Sequence, residues 1–181
     1  MADAIIFEKK GKADTNFETL LWVLKAKGDG DLRIYLQMLL VDVDNTFVCT
    51  DGHRLHLAQI PEYSIEPGTY EYIPTRKGCA VILRKVSDID FPEYRKVIPN
   101  GDTPVLGEIF NSRKYTTPGE ALIKLFELTG KGVDLNYLLD ILSTDSLVYQ
   151  VKNDKSKPVS AIVFEREDPK RIALLMPTKR S

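Results

Sequence analysis

The chain has few of the residues on which disulfide scaffolds and metal centres depend. Among its 181 residues there are 2 cysteines and 2 histidines. Two cysteines cannot build a disulfide framework, and we expect Cys49 and Cys79 to be buried free thiols because both lie in apolar or strand-like surroundings. His53 and His56 lie on one predicted strand at a spacing that points them to opposite faces. They therefore predict no shared metal site.

A strong charge of one sign is also missing. The chain has 25 Lys and Arg residues against 26 Asp and Glu residues, and its formal net charge is -1. This balance excludes a strongly basic nucleic-acid clasp. No apolar run approaches the ~18 residues that a membrane-spanning helix needs, and the N-terminal segment lacks the layout of a secretory signal. We therefore expect a cytoplasmic protein without a membrane partner.

Apolar residues, by contrast, are plentiful. They make up 43% of the chain, which excludes disorder and supplies a core for one large or two small domains. Alternating and apolar runs between Gly and Pro breaks predict the strands 4–8, 35–43, 47–60, 69–74, 79–86, 105–110, 146–152, 159–165 and 171–176. Tight hairpins without regular β-α-β alternation predict an α+β fold, with antiparallel sheets and two or three helices packed on one face.

Helical periodicity predicts three helices. The first is capped by Thr15 or Asn16 and turns Phe17, Leu20, Leu21 and Leu24 inward. The second begins at Thr117 and Pro118, because proline is favoured in the first helical turn. The third is short, from Leu135 to Leu142, and is capped by Asp134.

One string is similar to an enzyme motif. Residues 39–47, LLVDVDNTF, resemble the first motif of haloacid-dehalogenase-type phosphatases, in which Asp42 would attack phosphorus and Asp44 would handle the proton. The alternative is that both acids lie on the exposed end of a hairpin. The returning strand predicted for 47–60 favours this alternative, since the phosphatase motif is followed by a loop and a helix. Phosphate-binding and dinucleotide-binding glycine motifs do not occur in the sequence.

Five other segments resemble, in the same order, parts of the bacterial β-type DNA polymerase sliding clamp. The first, CTDGHRLHL (49–57), contains the T-D-G-H-R-L string that is a signature of that family. The others are IPTRKG (73–78), FPEYRKVIP (91–99), VDLNYLLDIL (133–142) and IALLMPTK (172–179). They are similar to the segment that follows the signature, the linker between the second and third domains, a late helix, and the C-terminal strand with its Met-Pro ending.

This resemblance implies a non-enzymatic, clamp-like protein without a cofactor. Residues 1–90 would correspond to the family's second domain, 91–104 to the linker and 105–181 to a shortened third domain, with no counterpart of the first. The implied partners are DNA polymerase or other clamp-binding proteins, which carry short linear motifs, and double-stranded DNA that is bound without sequence specificity. Encirclement of DNA would require a homo-oligomer. A protein that keeps only the peptide pocket and acts as a decoy remains an alternative.

The resemblance also implies a hydrophobic pocket that receives short Gln/Leu/Phe-containing peptides. Its residues would be Thr50, Gly52, His53, Arg54, Leu55, Pro92, Arg95, Lys96, Val97, Asp134, Tyr137, Leu174, Leu175, Met176, Pro177 and Thr178. Asp134 and Thr178 depart from the family, which commonly has an amide and an apolar side chain there. Apolar walls with a polar rim suit a peptide groove. The alternative is that Leu55, Leu174 and Met176 are core residues and that Asp51 and Gly52 form a strand bulge.

Basic residues on the predicted helices are the candidates for DNA contact. The clamp family lines its channel with helices whose basic side chains touch phosphates. The corresponding residues here would be Lys25, Lys27, Lys124 and Lys131. Glu18, Glu120 and Glu127 lie close to them in sequence, so a solvated helix face is the alternative.

Overall fold

The chain folds into two compact units. The computed structural model describes residues 4–11, 14–30, 32–75, 79–99, 103–110, 117–142, 148–154, 160–167 and 170–178. The first unit comprises Met1–Gly52 and His56–Glu93, and the second comprises His53–Leu55 and Tyr94–Ser181. Within the described ranges, no helix is both long and apolar enough to cross a membrane.

The first unit is a mostly antiparallel sheet with one helix. Its strands are β1 (Ala4–Glu8), β2 (Met38–Asp42), β3 (Thr46–Thr50), β4 (Arg54–Gln59), β5 (Gly68–Pro74) and β6 (Ala80–Val86), in the order β1-β6-β5-β2-β3-β4. The pairs β1–β6, β6–β5, β5–β2 and β2–β3 are antiparallel. Helix α1 (Thr15–Leu24) packs against β3. Phe17, Trp22, Phe47 and Tyr70 are buried in the core of this unit.

The second unit has four further strands and two helices among its described residues. In chain order they are β7 (Val105–Phe110), α2 (Pro118–Thr129), α3 (Leu135–Leu142), β8 (Val148–Lys152), β9 (Ile162–Arg166) and β10 (Arg171–Leu175). The strand order is β10-β9-β8-β7, and every pair is antiparallel. Helix α2 packs against β7, whereas α3 packs against β10. The core here contains Leu125, Leu138, Tyr149 and Phe164.

The ends of α2 follow from its local sequence. At its start, the backbone N–H of Thr117 donates to Glu120 Oε2 at 3.2 Å, which is half of a capping box. At its end, Gly130 adopts φ 70° and its N–H donates to the carbonyl of Phe126 at 2.7 Å. The hydrogen bond to Glu120 and the left-handed glycine therefore fix where α2 begins and where it ends.

The predicted fold class is confirmed, but three predicted strands differ from the structure. The strand predicted for 159–165 starts at Ile162. Residues Ile34–Gln37 form a 3₁₀ turn, so the strand predicted for 35–43 starts at Met38. The strand predicted for 47–60 is interrupted, because Gly52 adopts φ 89°, a conformation outside the extended region. The domain boundaries stay a prediction; the units divide inside the predicted linker, between Glu93 and Tyr94.

Three smaller predictions were wrong. Asp14, not Thr15 or Asn16, caps α1, and its carboxylate accepts a hydrogen bond from the N–H of Phe17 at 3.0 Å. Leu21 is only half-buried, because the buried side of α1 is formed by other residues, which include Trp22 and Val23. Cys49 is buried as predicted, and burial raises the pKa of its thiol. Cys79 is exposed, since it lies just before β6 rather than inside it.

We predict that Asp14→Ala lowers the free energy of unfolding by about 1 kcal/mol, because α1 loses its cap. Burial raises the pKa of Asp14, but hydrogen bonds from the N–H groups of Phe17 and Lys10 outweigh it and hold the pKa below 3.8. The charged form therefore adds stability above pH 3.8, and this is lost as the pH falls through the lowered folded-state pKa. Urea unfolding at several pH values measures both effects.

Asp14→Asn is the matched control for this prediction. Asparagine caps a helix about as well as aspartate but does not titrate. It should keep most of the stability at pH 7 and lack the acid-dependent loss. An alanine variant as stable as the wild type would show that the cap does not matter.

Candidate functional site

The T-D-G-H-R-L string forms a bend between two strands. Thr50 ends β3, Arg54 begins β4, and residues 51–53 lie between them. The hydroxyl of Thr50 accepts a hydrogen bond from the N–H of Gly52 at 3.1 Å, which closes the bend. The bend is a turn with a left-handed glycine, so the alternative of a strand bulge does not describe it.

Backbone hydrogen bonds bring the end of the string to the segment after β10. The N–H of Met176 donates to the carbonyl of His53 at 2.9 Å, and the N–H of Thr178 donates to the carbonyl of Gly132 at 2.9 Å. The segment 176–178 is therefore held at two points. Met176 is bonded to His53 in the bend, and Thr178 is bonded to Gly132, which precedes α3. All of these residues belong to the second unit.

The side chain of Arg54 connects this bend to α3. Its Nη1 lies 2.5 Å from Asp140 Oδ2, and its guanidinium carbon lies 4.3 Å from the centroid of the Tyr137 ring. Only 10% of the Arg54 side chain is exposed, compared with 33% for Asp140. The guanidinium thus makes an ion pair and a cation–π contact at the same time.

Helix α3 and its cap carry three polar side chains at intervals of three residues. Asp134 caps the helix, since its Oδ1 accepts from the N–H of Asn136 at 2.8 Å and from that of Tyr137 at 3.3 Å. Tyr137 and Asp140 are three residues apart and are therefore neighbours on the surface of the helix. Asp134 is exposed and Tyr137 is half-buried. We call His53, Arg54, Asp134, Tyr137 and the segment 176–178 the Met176 site.

The apolar residues predicted for the pocket divide into core and surface. Three of them have almost no exposed surface and are core residues: Leu55 at 4%, Leu174 at 4% and Leu175 at 0%. Met176 is 40% exposed. The alternative of ordinary core residues therefore holds for Leu55 and Leu174 and is wrong for Met176, because the strand ends at Leu175 and the chain then runs along the surface.

Two groups of predicted site residues lie outside the Met176 site. The first unit contains Thr50, Gly52 and Pro92. In the second unit, the 3₁₀ turn Tyr94–Val97 contains the exposed residues Arg95, Lys96 and Val97. The sixteen-residue pocket inferred from the sequence stays a prediction. The Met176 site is the part of that pocket whose residues are joined by contacts within the second unit.

The four candidate lysines have different surroundings. The ammonium of Lys27 forms an ion pair with Asp29, and that of Lys124 lies 3.7 Å from Glu127. Lys25 is half-buried near the end of α1. Lys131 donates to the hydroxyl of Ser160 at 3.0 Å and to its carbonyl at 3.3 Å. Burial lowers the pKa of Lys131, and Asp154 offsets part of this change.

The acids of the phosphatase-like string lie at a hairpin end. β2 and β3 are antiparallel, and Asp42 pairs with Thr46 across the turn. The carboxylate of Asp42 accepts a hydrogen bond from the N–H of Val43 at 2.7 Å, and Asp44 is exposed with φ 58°. A strand, rather than a helix, follows the string. The structure therefore agrees with the alternative in which both acids lie at the end of a hairpin.

The two histidines have separate positions and surroundings. His53 lies exposed in the bend before β4, not on the strand as predicted. His56 is buried in the first unit, with Nδ1 2.8 Å from the carbonyl of Trp22 and its ring stacked on the Trp22 ring. In the part of the chain that the structure describes, no group of three or more His, Cys, Asp or Glu side chains could share a metal ion.

Asp140 was missed by the sequence analysis. Its distance of three residues from Tyr137 places both on one side of α3, and this is the signal that could have marked it. Its partner Arg54, however, is 86 positions away in the sequence. Only the folded chain shows that the two side chains meet.

Comparison with known proteins supports the fold. No protein-family model matches the chain, and no curated protein matches it. The DNA polymerase sliding clamp from Pseudomonas aeruginosa is similar, with 16% identity, a TM-score of 0.58, and coverage of 98% of this chain and 67% of that chain. The beta sliding clamp of C. crescentus gives 16% identity, a TM-score of 0.63, and coverage of 99% and 66%.

The DNA polymerase III subunit beta from Borrelia burgdorferi, solved in complex with a natural product, is another similar structure. Its identity is 10%, its TM-score 0.61, and the match covers 99% of this chain and 65% of that one. The chain therefore has the bacterial sliding-clamp fold, as the resemblance implied, and spans about two thirds of the length of these clamps.

We predict that Gly52→Ala destabilises the protein by about 1–2 kcal/mol, because an L-residue is strained at a left-handed φ. A Cβ at this position would lie 3.6 Å from the guanidinium of Arg33, which is ordinary contact, so backbone strain is the cause. Gly119→Ala, in the first turn of α2, is the matched control and should be neutral or stabilising. Urea unfolding of the two variants measures the difference; equal effects would contradict the prediction.

Proposed function

We propose that this protein is a non-enzymatic, sliding-clamp-like protein that binds short peptides of DNA polymerases or other clamp-binding proteins at the Met176 site. The observation that carries the proposal is a 40% exposed methionine whose N–H is held by the carbonyl of His53, in a chain with the clamp fold. A preformed apolar surface with a few polar groups around it is what an apolar peptide anchor requires.

The chemistry of the site sets the expected affinity. A methionine thioether is polarizable and adapts to different apolar partners. Two buried anchors of a peptide would contribute ~1.5–3 kcal/mol each before the entropy of ordering is subtracted. Micromolar binding is therefore the expectation. Asp134, which is exposed at the start of α3, places a carboxylate at the edge of the site and disfavours acidic peptide residues there.

We predict that Met176→Asp weakens the binding of a Gln/Leu/Phe-containing peptide at least about tenfold, because a carboxylate would face an apolar anchor without a partner. Fluorescence anisotropy with a labelled peptide measures the dissociation constant, and circular dichroism confirms that each variant is folded. Met176→Leu should keep most of the affinity.

Ile123→Asp is the matched control. Ile123 is an exposed apolar residue, at 61%, on α2, which packs at the other edge of the sheet of the second unit. This variant should bind the peptide as the wild type does. Equal affinities of wild type and Met176→Asp, or no binding by the wild type, would leave only the likeness of fold.

The proposal includes association with double-stranded DNA without sequence specificity, with several copies assembled around the duplex. Lys25, Lys27 and Lys124 are the candidates for phosphate contact, and Lys131 contributes least because Ser160 holds its ammonium. The ion pair of Lys124 is exposed and costs little to exchange for a phosphate, whereas the side chain of Lys27 is only 18% exposed. Because the net charge is -1, the whole molecule adds no long-range attraction.

We predict weak, salt-sensitive retention on closed circular DNA that is lost when the DNA is linearised. Replacing Lys25, Lys27, Lys124 or Lys131 singly by Ala should lower the salt slope by about 0.9 for each phosphate that is no longer neutralised, and replacing all four should abolish retention. Lys85→Ala is the control, since Lys85 pairs with Glu66 on another part of the first unit.

Light scattering of the same samples gives the number of copies in the assembly. A mass of several copies on closed circular DNA supports encirclement. A monomer in solution and on DNA, or specific binding to a short linear duplex, would contradict this part of the proposal.

A further inference from the structure

The position of Arg54 differs from that of a residue that receives a peptide. Its side chain is only 10% exposed, and its guanidinium lies between a carboxylate and an aromatic ring, both on α3. A peptide bound at the surface meets Met176, which is 40% exposed, and Tyr137, which is half-buried. Arg54 therefore reaches the helix rather than the open surface.

We infer that Arg54 and Asp140 are positioning residues for Tyr137, a conclusion that rests on the proposed peptide-binding function. Asp140 fixes the guanidinium through the ion pair, and the guanidinium covers one face of the Tyr137 ring. The ring is thereby held in a single orientation before the peptide arrives. Rigid aromatic side chains bind at low entropic cost, so fixing the ring strengthens binding without any contact between Arg54 and the peptide.

The chemistry of arginine explains why this residue suits the role. A guanidinium is planar and can stack on a ring while its N–H groups bind a carboxylate. A lysine keeps the charge but has no plane with which to cover the ring. Arg54→Lys therefore separates charge from geometry. If Arg54 attracted the peptide by charge alone, lysine would preserve the affinity.

A double-mutant cycle tests the inference with the labelled peptide. We expect Arg54→Lys to weaken binding about five- to tenfold in the wild-type background and less than twofold when Tyr137 is already replaced by Leu. Asp140→Asn should show the same dependence on Tyr137. Arg84→Lys is the matched control, because Arg84 pairs with Glu71 in the first unit, and it should change nothing. A penalty of equal size in both backgrounds, or none in the wild-type background, would overturn the inference.

A second measurement does not depend on peptide binding. In free protein with ¹³C-labelled tyrosine, the ring signal of Tyr137 is identified by its loss in Tyr137→Phe. Arg54→Lys should shift that signal, whereas Arg84→Lys should not. An unmoved signal contradicts the positioning role even if peptide binding cannot be measured in the Leu variant. If the wild type binds no peptide but the signal shifts, the proposed function fails while Arg54 still orients the ring.

Discussion

The hydrogen bond from the N–H of Met176 to the carbonyl of His53 is the contact on which the candidate site depends. It joins the last residue of the bend before β4 to the segment that follows β10, and the bond between Thr178 and Gly132 holds the other side of that segment. Because the backbone is fixed at both places, the side chain of Met176 is exposed while its main chain stays hydrogen-bonded. A side chain that is exposed but held in this way suits binding, since little order remains to be created when a partner arrives.

The bend at residues 51–53 makes that hydrogen bond possible. Had 47–60 been one continuous strand, His53 would have lain inside a regular ladder. Gly52 prevents this, because its positive φ turns the chain before β4 begins. The chain also passes from the first unit to the second and back at this point. His53–Leu55 belongs to the second unit and His56 to the first. One glycine thus decides where the predicted strand breaks.

The positive charge of Arg54 in the Met176 site is paired with a carboxylate on α3. Arg54 and Asp140 balance one another, and Asp134 lies at the positive end of the α3 dipole. The exposed residues of the site are then His53, Met176 and Thr178, together with Asp134 at the start of α3. Lys124 lies on α2, whereas Lys25 and Lys27 follow α1 and Lys131 follows α2, so the predicted placement on helices holds for Lys124 alone among the four. Asp29, Glu127 and Ser160 contact Lys27, Lys124 and Lys131. The proposed peptide binding and the proposed DNA association therefore rest on different residues and can fail separately.

The sequence alone determined the α+β class, the extent of α3 with its Asp134 cap, and the resemblance to the sliding clamp, because periodicity, capping and short motifs are local properties. It could not determine the surroundings of single side chains. Asp140 has no local signal that leads to Arg54, and the apolar run 172–176 gives no sign that Leu174 is buried while Met176 is exposed. Those differences arise only when distant segments pack together, since burial and ion pairing depend on neighbours that are remote in the chain.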